Sequence, residues 1–193
     1  GLLGVEGAAT DGSSGRRWVV DPLDGTTNYH SGIPLWAVSV AVEDAEGALA
    51  GTVLDPVRDE LFRAERGEGA WMNGEPIRVR EGVALERALA ATGFGYEPQA
   101  RARQSEALRH VLPRVRDIRR AGAAALDLAW VAAGRLDAYF EDGLKPWDWA
   151  AGRLLVTEAG GAVAELPGDP PGLVAGAAGL VPELAALVAA AAP

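Results

Sequence analysis

The sequence predicts a mixed α/β or α+β fold, and three observations predict it. Short apolar, β-branched runs alternate with Gly, Asn-Gly and Asp-Pro turn signals over the first half of the 193 residues. Apolar residues shift to helical spacing from Ala100 onward. Strands then return between the helices, so neither element type is confined to one end.

Leu2-Leu3 reads as a piece of strand. Residues 17–20 read as a short strand that Asp21-Pro22 ends, because proline cannot donate to a ladder. Residues 36–42 and 49–54 form a hairpin around a turn at 44–47, closed by Asp55-Pro56. Residues 60–64 and 69–72 are two more strands, and Asn73-Gly74 makes a tight turn before Ile77. Residues 88–93 are another strand. Residues 100–112 form a helix with Leu108, Val111 and Leu112 at helical spacing, broken at Pro113. Residues 118–120 are a short connection. A helix over 123–133 stops at Gly134, and a strand spans 136–141. The next helix covers 148–159, with Asp148 as its N-cap and Gly160-Gly161 as its stop. A strand over 163–166, a loop over 167–172 and a helix over 182–190, with Pro182 in its first turn, complete the chain. A single domain over 1–193 is expected, with a sheet region over 1–94 and an α/β region over 95–193.

Composition narrows the function. Lys plus Arg is 18 and Asp plus Glu is 27, for a net charge of −9. That balance argues against nucleic acid or an anionic membrane as the main partner, since both need a basic footprint. It leaves room for an anionic substrate, because bound cations invert the charge of a local site. The absence of Cys removes disulfides, thiolate nucleophiles and Cys-based metal sites. It is compatible with a reducing compartment, and a cytoplasmic location is expected. No apolar run reaches the roughly 18–20 residues of a membrane span. The start of the chain lacks the basic-then-apolar order of a signal peptide.

The most informative stretch is Asp21-Pro22-Leu23-Asp24-Gly25-Thr26-Thr27-Asn28. A strand delivers two carboxylates into a loop, Pro22 stiffens the chain between them, and Gly25 lets the backbone turn or approach a ligand. Thr26 and Thr27 add hydroxyls and N–H groups where a helical turn begins, a geometry that suits anions. Two close carboxylates repel unless a cation lies between them, and oxygen-only ligands suit Mg²⁺. The alternative is an Asx-turn followed by a helix cap. The second stretch is Trp147-Asp148-Trp149-Ala150-Ala151-Gly152. Taken alone, Asp148 is a plain N-cap; its interest is as a third carboxylate meeting the first two. Ala150, Ala151 and Gly152 are small enough for close packing behind a site.

Together these stretches resemble the two signatures of the inositol monophosphatase family. Gly67-Glu68-Gly69-Ala70-Trp71-Met72-Asn73-Gly74, Arg119-Arg120-Ala121-Gly122 and Thr157-Glu158-Ala159-Gly160-Gly161 follow the family's order between and after them. The resemblance implies the layered αβαβα sandwich of the inositol monophosphatase and fructose-1,6-bisphosphatase type. It also implies a Mg²⁺-dependent, lithium-sensitive phosphomonoesterase, commonly a homodimer. Carried over by position, Asp21 bridges two metal ions and the Leu23 carbonyl serves the first. Asp24 and Asp148 serve the second. Gly25 and Thr26 present N–H groups to the phosphate, and the Thr26 hydroxyl positions the attacking water. Glu141 binds a substrate hydroxyl, and Gly122, Ala123 and Ala124 line the pocket.

The expected substrate is a small phosphorylated polyol, with inositol monophosphate the default. Histidinol phosphate, fructose bisphosphate and 3′-phosphoadenosine esters are the alternatives within the family. A metal- or phosphate-binding homologue without useful turnover is the alternative of another class. The family's Gly-Glu-Glu step reads Gly4-Val5-Glu6 here, so Val5 stands at a ligand position and Glu6 is the remaining acid. The resemblance also implies a further N-terminal segment, which the sequence as given lacks. Ala123 replaces a hydroxyl residue common in the pocket. His30 and His110 match no catalytic place.

Overall fold

The alternating first half of the chain builds one eight-stranded sheet. The structure, a computed structural model, describes residues 1–4, 9–10, 12–168 and 171–190. The strands are β1 (Leu2–Gly4), β2 (Ala9–Thr10), β3 (Arg17–Asp24), β4 (Ala37–Asp44), β5 (Gly47–Asp55), β6 (Glu60–Glu65), β7 (Gly69–Met72) and β8 (Glu75–Pro76), with the short helix α1 (Thr26–His30) after β3. Their order is β2-β1-β3-β4-β5-β6-β7-β8. β1 runs parallel to β3, and the other neighbours are antiparallel. From β4 to β8 the antiparallel order follows from the short turns, since a connection of two to four residues reverses the chain.

A second sheet has the order β10-β9-β11-β13-β12. Its strands are β9 (Leu89–Thr92), β10 (Asp117–Arg119), β11 (Ala138–Glu141), β12 (Ala162–Leu166) and β13 (Gly172–Gly176). The longer helices are α2 (Pro98–Val111), α3 (Ala124–Ala132), α4 (Pro146–Glu158) and α5 (Val181–Ala189). α3 and α4 pack on each other and lie between the two sheets, while α2 and α5 pair on the far side of the second. Sheet, helix pair, sheet and helix pair therefore stack as four layers among the described residues. Four layers of the five implied by the resemblance are present there.

Burial explains why α3 and α4 take the central layer. Almost every residue of α3 is buried, and all but Asp127 are apolar, as suits a helix between two sheets. Close approach needs small residues on both partners. A Cβ added at Gly51 of β5 would lie 2.9 Å from Ala151 Cα, and one at Gly152 would lie 2.6 Å from Leu128 Cβ. The small stripe of α4 thus packs on β5 and α3 as the sequence predicts.

Four local expectations are corrected. Pro22 does not end β3, which continues to Asp24 through a register irregularity between Asp21 and Asp24. Proline is tolerated there because the ladder is already interrupted. Residues 117–119 are not a bare connection but the edge strand β10, paired parallel to β9. The loop expected over 167–172 gives way at Gly172 to β13, a fully buried central strand. Asp148 is not the N-cap of α4. Lys145 caps it, Pro146 opens it, and Asp148 lies in the first turn.

Candidate active site

The irregularity in β3 is what builds the site. In a regular strand, residues three apart point to opposite faces. The register shift between Asp21 and Asp24 lets both side chains turn inward, and both are buried. Asp21 Oδ1 accepts the Leu23 N–H at 3.0 Å, and Asp24 Oδ2 accepts the Ala125 N–H at 2.7 Å. The second contact fixes the first turn of α3 against the end of β3. α4 brings the third acid, and Asp148 Oδ2 accepts the Lys145 N–H at 2.7 Å.

Each of the three carboxylates thus rests one oxygen on a backbone N–H. None forms an ion pair with Arg or Lys among the described residues. Their mutual influence shows in their acidity. Burial, then the charges of Asp21, Asp148 and Glu141, pushes the Asp24 carboxyl well above the usual range. Burial, with repulsion from Asp21, raises Asp148 to about 6. Burial also raises Asp21. Unpaired like charges brought together in a dry place are unfavourable unless protons or a cation neutralise them.

This donor set fits a hard divalent cation. It is all oxygen, its charges repel, and one oxygen of each carboxylate is left over after the backbone bond. Among the described residues no three acidic or imidazole side chains already stand close enough to grip a cation together. The acids stand near enough to repel one another without closing a cage. Val5, at the position where the resemblance implies a metal ligand, and Glu6, the remaining acid, lie outside the described residues.

Beside the carboxylates the backbone turns through Gly25 with φ 88°, a left-handed conformation that suits glycine. A Cβ there would lie 2.9 Å from the Leu35 carbonyl oxygen. The first helical hydrogen bond of α1 runs from the Tyr29 N–H to the Gly25 carbonyl, so the Gly25 and Thr26 N–H groups precede the ladder. The exposed Thr26 hydroxyl donates to the Leu23 carbonyl at 2.9 Å. Gly122 also has φ 88°, and it stands with Ala123 and Ala124 on the wall of the same cavity. Glu141, at the end of β11, faces that cavity as well. Burial, and then the charges of Asp148 and Asp142, pushes Glu141 up to about 7 against the pull of its bond from Tyr139 and of Arg120.

The cavity measures about 830 Å³. Asp24, Asp148, Gly25 and Glu141 line its inner part, while Arg103, Arg120 and Lys145 bring cations to its walls. Asp21, Leu23 and Thr26 are not among its lining residues; they belong to the β3–α1 bend beside Asp24 and Gly25. His30 and His110 are both exposed on helix surfaces.

Three residues that sequence reasoning passes over lie at the site, and the first two of them tie its parts together. Asn28 Nδ2 donates to the Leu35 carbonyl at 2.7 Å and to the Ala121 carbonyl at 2.8 Å, tying α1 to the loop before α3. Its signal was a polar residue closing the octapeptide, but its partner lies 93 residues away. Buried Gln104 of α2 accepts the Gly95 N–H and donates to Asp142, joining two cavity walls. Asp127 of α3 is 1% exposed, and its Oδ1 has no hydrogen-bond partner. Burial and the nearby charges of Asp24 and Glu141 raise its carboxyl well above the usual range.

A layered α/β sandwich with neighbouring carboxylates at the end of one strand and the start of one helix defines a class of proteins with an acid-lined cavity between strand ends and helix starts. Within that class, the chain belongs to the inositol monophosphatase family, whose sequence model matches residues 2–192. Similar curated proteins include the Nus factor SuhB of Xylella fastidiosa, 47% identical over 169 residues, covering 87% of this chain and 61% of that protein. The inositol-1-monophosphatase of Mesorhizobium japonicum is 46% identical over 170 residues, covering 86% and 63%. The chain thus spans under two thirds of the length of these relatives. Among solved structures, the extragenic suppressor protein suhB of Bartonella henselae superposes with a TM-score of 0.90 at 43% identity, covering 97% of this chain and 74% of that one. The inositol monophosphatase of Anabaena (Nostoc) gives 0.89 at 35% identity, covering 100% and 79%. Among the described residues, no helix is long and apolar enough to cross a membrane.

Proposed function

We propose that this chain carries the phosphoryl site of a Mg²⁺-dependent phosphomonoesterase acting on a small phosphorylated polyol, with inositol monophosphate as the default substrate. The observation that carries the reading is that Asp21, Asp24 and Asp148 stand near enough for their charges to repel one another, each held by one backbone N–H and unpaired by Arg or Lys among the described residues. Bound Mg²⁺ would supply an acidified water and offset the charge on the phosphoryl oxygens. Asp21, the Leu23 carbonyl, Asp24 and Asp148 would hold the cation, with Glu6 a further acid. The Gly25 and Thr26 N–H groups would orient the phosphate, since they precede the ladder of α1. The Thr26 hydroxyl would fix the direction of the attacking water. Glu141 would accept a hydrogen bond from a hydroxyl of the leaving group, and Gly122, Ala123 and Ala124 would shape the wall beside it. A carboxylate there disfavours a second phosphate, so monoesters are preferred over bisphosphates. A cytoplasmic location and a homodimer complete the reading.

The named relatives support this reading, since one is an inositol-1-monophosphatase. A second reading is a homologue that binds metal or phosphate without useful turnover. It is favoured by Val5 at a ligand position and by relatives named as Nus factors. Phosphate release from a panel of phosphomonoesters, with and without Mg²⁺ and with Li⁺ added to the active wells, separates them. Mg²⁺-dependent, Li⁺-sensitive release is expected. A folded protein that binds Mg²⁺ and releases no phosphate from any ester establishes the second reading.

A further inference from the structure

Glu141 does not stand free in the cavity. The Tyr139 hydroxyl, two residues earlier on β11, donates to Glu141 Oε2. Tyr139 is fully buried, and burial, followed by the charges of Glu141 and Asp127, raises its phenol well above its usual range. The phenol therefore keeps its proton and donates a hydrogen bond to Glu141. Residues two apart on a strand share a face, which is why the two side chains meet.

Across the sheet, Gly93 follows the end of β9, the strand that pairs with β11. Its backbone is not in the left-handed region, so conformation does not require glycine there. Space does. A Cβ on Gly93 would fall inside the Glu141 carboxylate. One oxygen of Glu141 is thus held by Tyr139 over a floor that only glycine leaves open, and the other has no hydrogen-bond partner among the described residues.

We propose that Tyr139 and Gly93 are positioning residues that fix the Glu141 carboxylate and thereby set the preference for a leaving group rich in hydroxyls. The inference rests on the phosphatase reading above, in which Glu141 meets a substrate hydroxyl. A fixed acceptor rewards a hydroxyl at one place; a carboxylate free to rotate would spread that gain over many poses. Neither residue is required to touch the phosphoryl group.

The test compares Tyr139→Phe and Gly93→Ala with wild type in the full-length Mg²⁺-loaded protein. The substrates are inositol monophosphate and p-nitrophenyl phosphate, whose ring bears no hydroxyl. The ratio of kcat/KM for the two esters is expected to fall about five- to tenfold in both variants, mainly through KM for inositol monophosphate. An unchanged ratio in a folded Tyr139→Phe protein overturns the proposal. If that variant does not fold, the same criterion applies to Gly93→Ala. Equilibrium binding of the two products, inositol and inorganic phosphate, to the Mg²⁺-loaded proteins, followed by NMR, gives a readout apart from turnover. Weaker binding of inositol with unchanged binding of inorganic phosphate supports the proposal, and equal binding of both by variant and wild type overturns it. A wild type that hydrolyses neither ester overturns the phosphatase reading, and the binding arm alone then decides the role of Tyr139 and Gly93.

Discussion

The Asp24 carboxylate accepts the Ala125 N–H at 2.7 Å across 101 residues of sequence. This bond joins the end of β3 to the first turn of α3, and with it the large sheet to the central helices. The same carboxylate lies nearest the electrostatic conflict of the site, facing Asp21, Asp148 and Glu141. Scaffold and chemistry therefore meet in one side chain.

Asp24→Asn separates the two roles. The amide oxygen can still accept the Ala125 N–H, while the buried charge is gone. The metal-free variant is expected to melt at or above the wild-type temperature, because repulsion is relieved. Its Mg²⁺ affinity is expected to fall at least about tenfold, since a ligand charge is lost. Melting in EDTA and calorimetric titration check both. A variant that melts well below wild type contradicts the like-charge account.

Metal-free stability should fall as pH rises. Glu141 and Asp148 are raised to about 7 and about 6 from ordinary values of 4.5 and 3.8. Between the unfolded and folded values the native state binds more protons, so stability is greatest below the unfolded pKa and is lost as pH climbs through the folded one. Melting in EDTA at pH 8 is expected at least about 2–4 °C below that at pH 5.5, the shift that about 1 kcal/mol gives in a domain of this size. Glu141→Gln and Asp148→Asn should flatten the profile. Mg²⁺ should reverse its sign, because ligand carboxylates must ionise.

Most of the fold was legible in the sequence, and each exception has its own physical cause. β7 runs over the predicted residues, and the hairpin of β4 and β5 follows from its alternation and turn signals. β13 escaped because a strand buried on both faces shows no alternation, and its first residue, Gly172, read as the end of a loop. β10 escaped because three residues at a sheet edge carry too little pattern. Asp148 read as a cap because Asp favours that place, yet Pro146 fits the first helical position and moves the cap back to Lys145. In the site, Asp21, Asp24 and Asp148 were legible because their motifs are local. Asn28, Gln104 and Tyr139 were not, because each acts through a partner that only the tertiary fold or strand geometry supplies.

Asn28→Ala tests the tie between α1 and the loop before α3. Two half-buried carbonyls, Leu35 and Ala121, lose their side-chain donor. The expected cost is about 1–3 kcal/mol, seen as a lower melting temperature. Turnover should fall as well, because Gly25 and Gly122 are positioned by the same tie. A variant with wild-type stability and turnover contradicts that role.

Gly152→Val should push α4 away from α3, because a side chain at this position meets Leu128. Overpacking of this kind costs about 1–3 kcal/mol or more. Since α4 carries Asp148, Mg²⁺ affinity should weaken together with the melting temperature. Thermal melts and metal titration of the same sample check the coupling. Lost stability with intact Mg²⁺ affinity separates the packing from the site.

The most direct test of a cation-dependent phosphoryl site is phosphate release from inositol monophosphate as Mg²⁺ is titrated from zero, with wild type beside Asp24→Asn. The account predicts release that rises and saturates with Mg²⁺ in the wild type and is lower by at least about 100-fold in the variant, with cooperative melts for both. Release that ignores Mg²⁺, or that is equal in the two proteins, would contradict it.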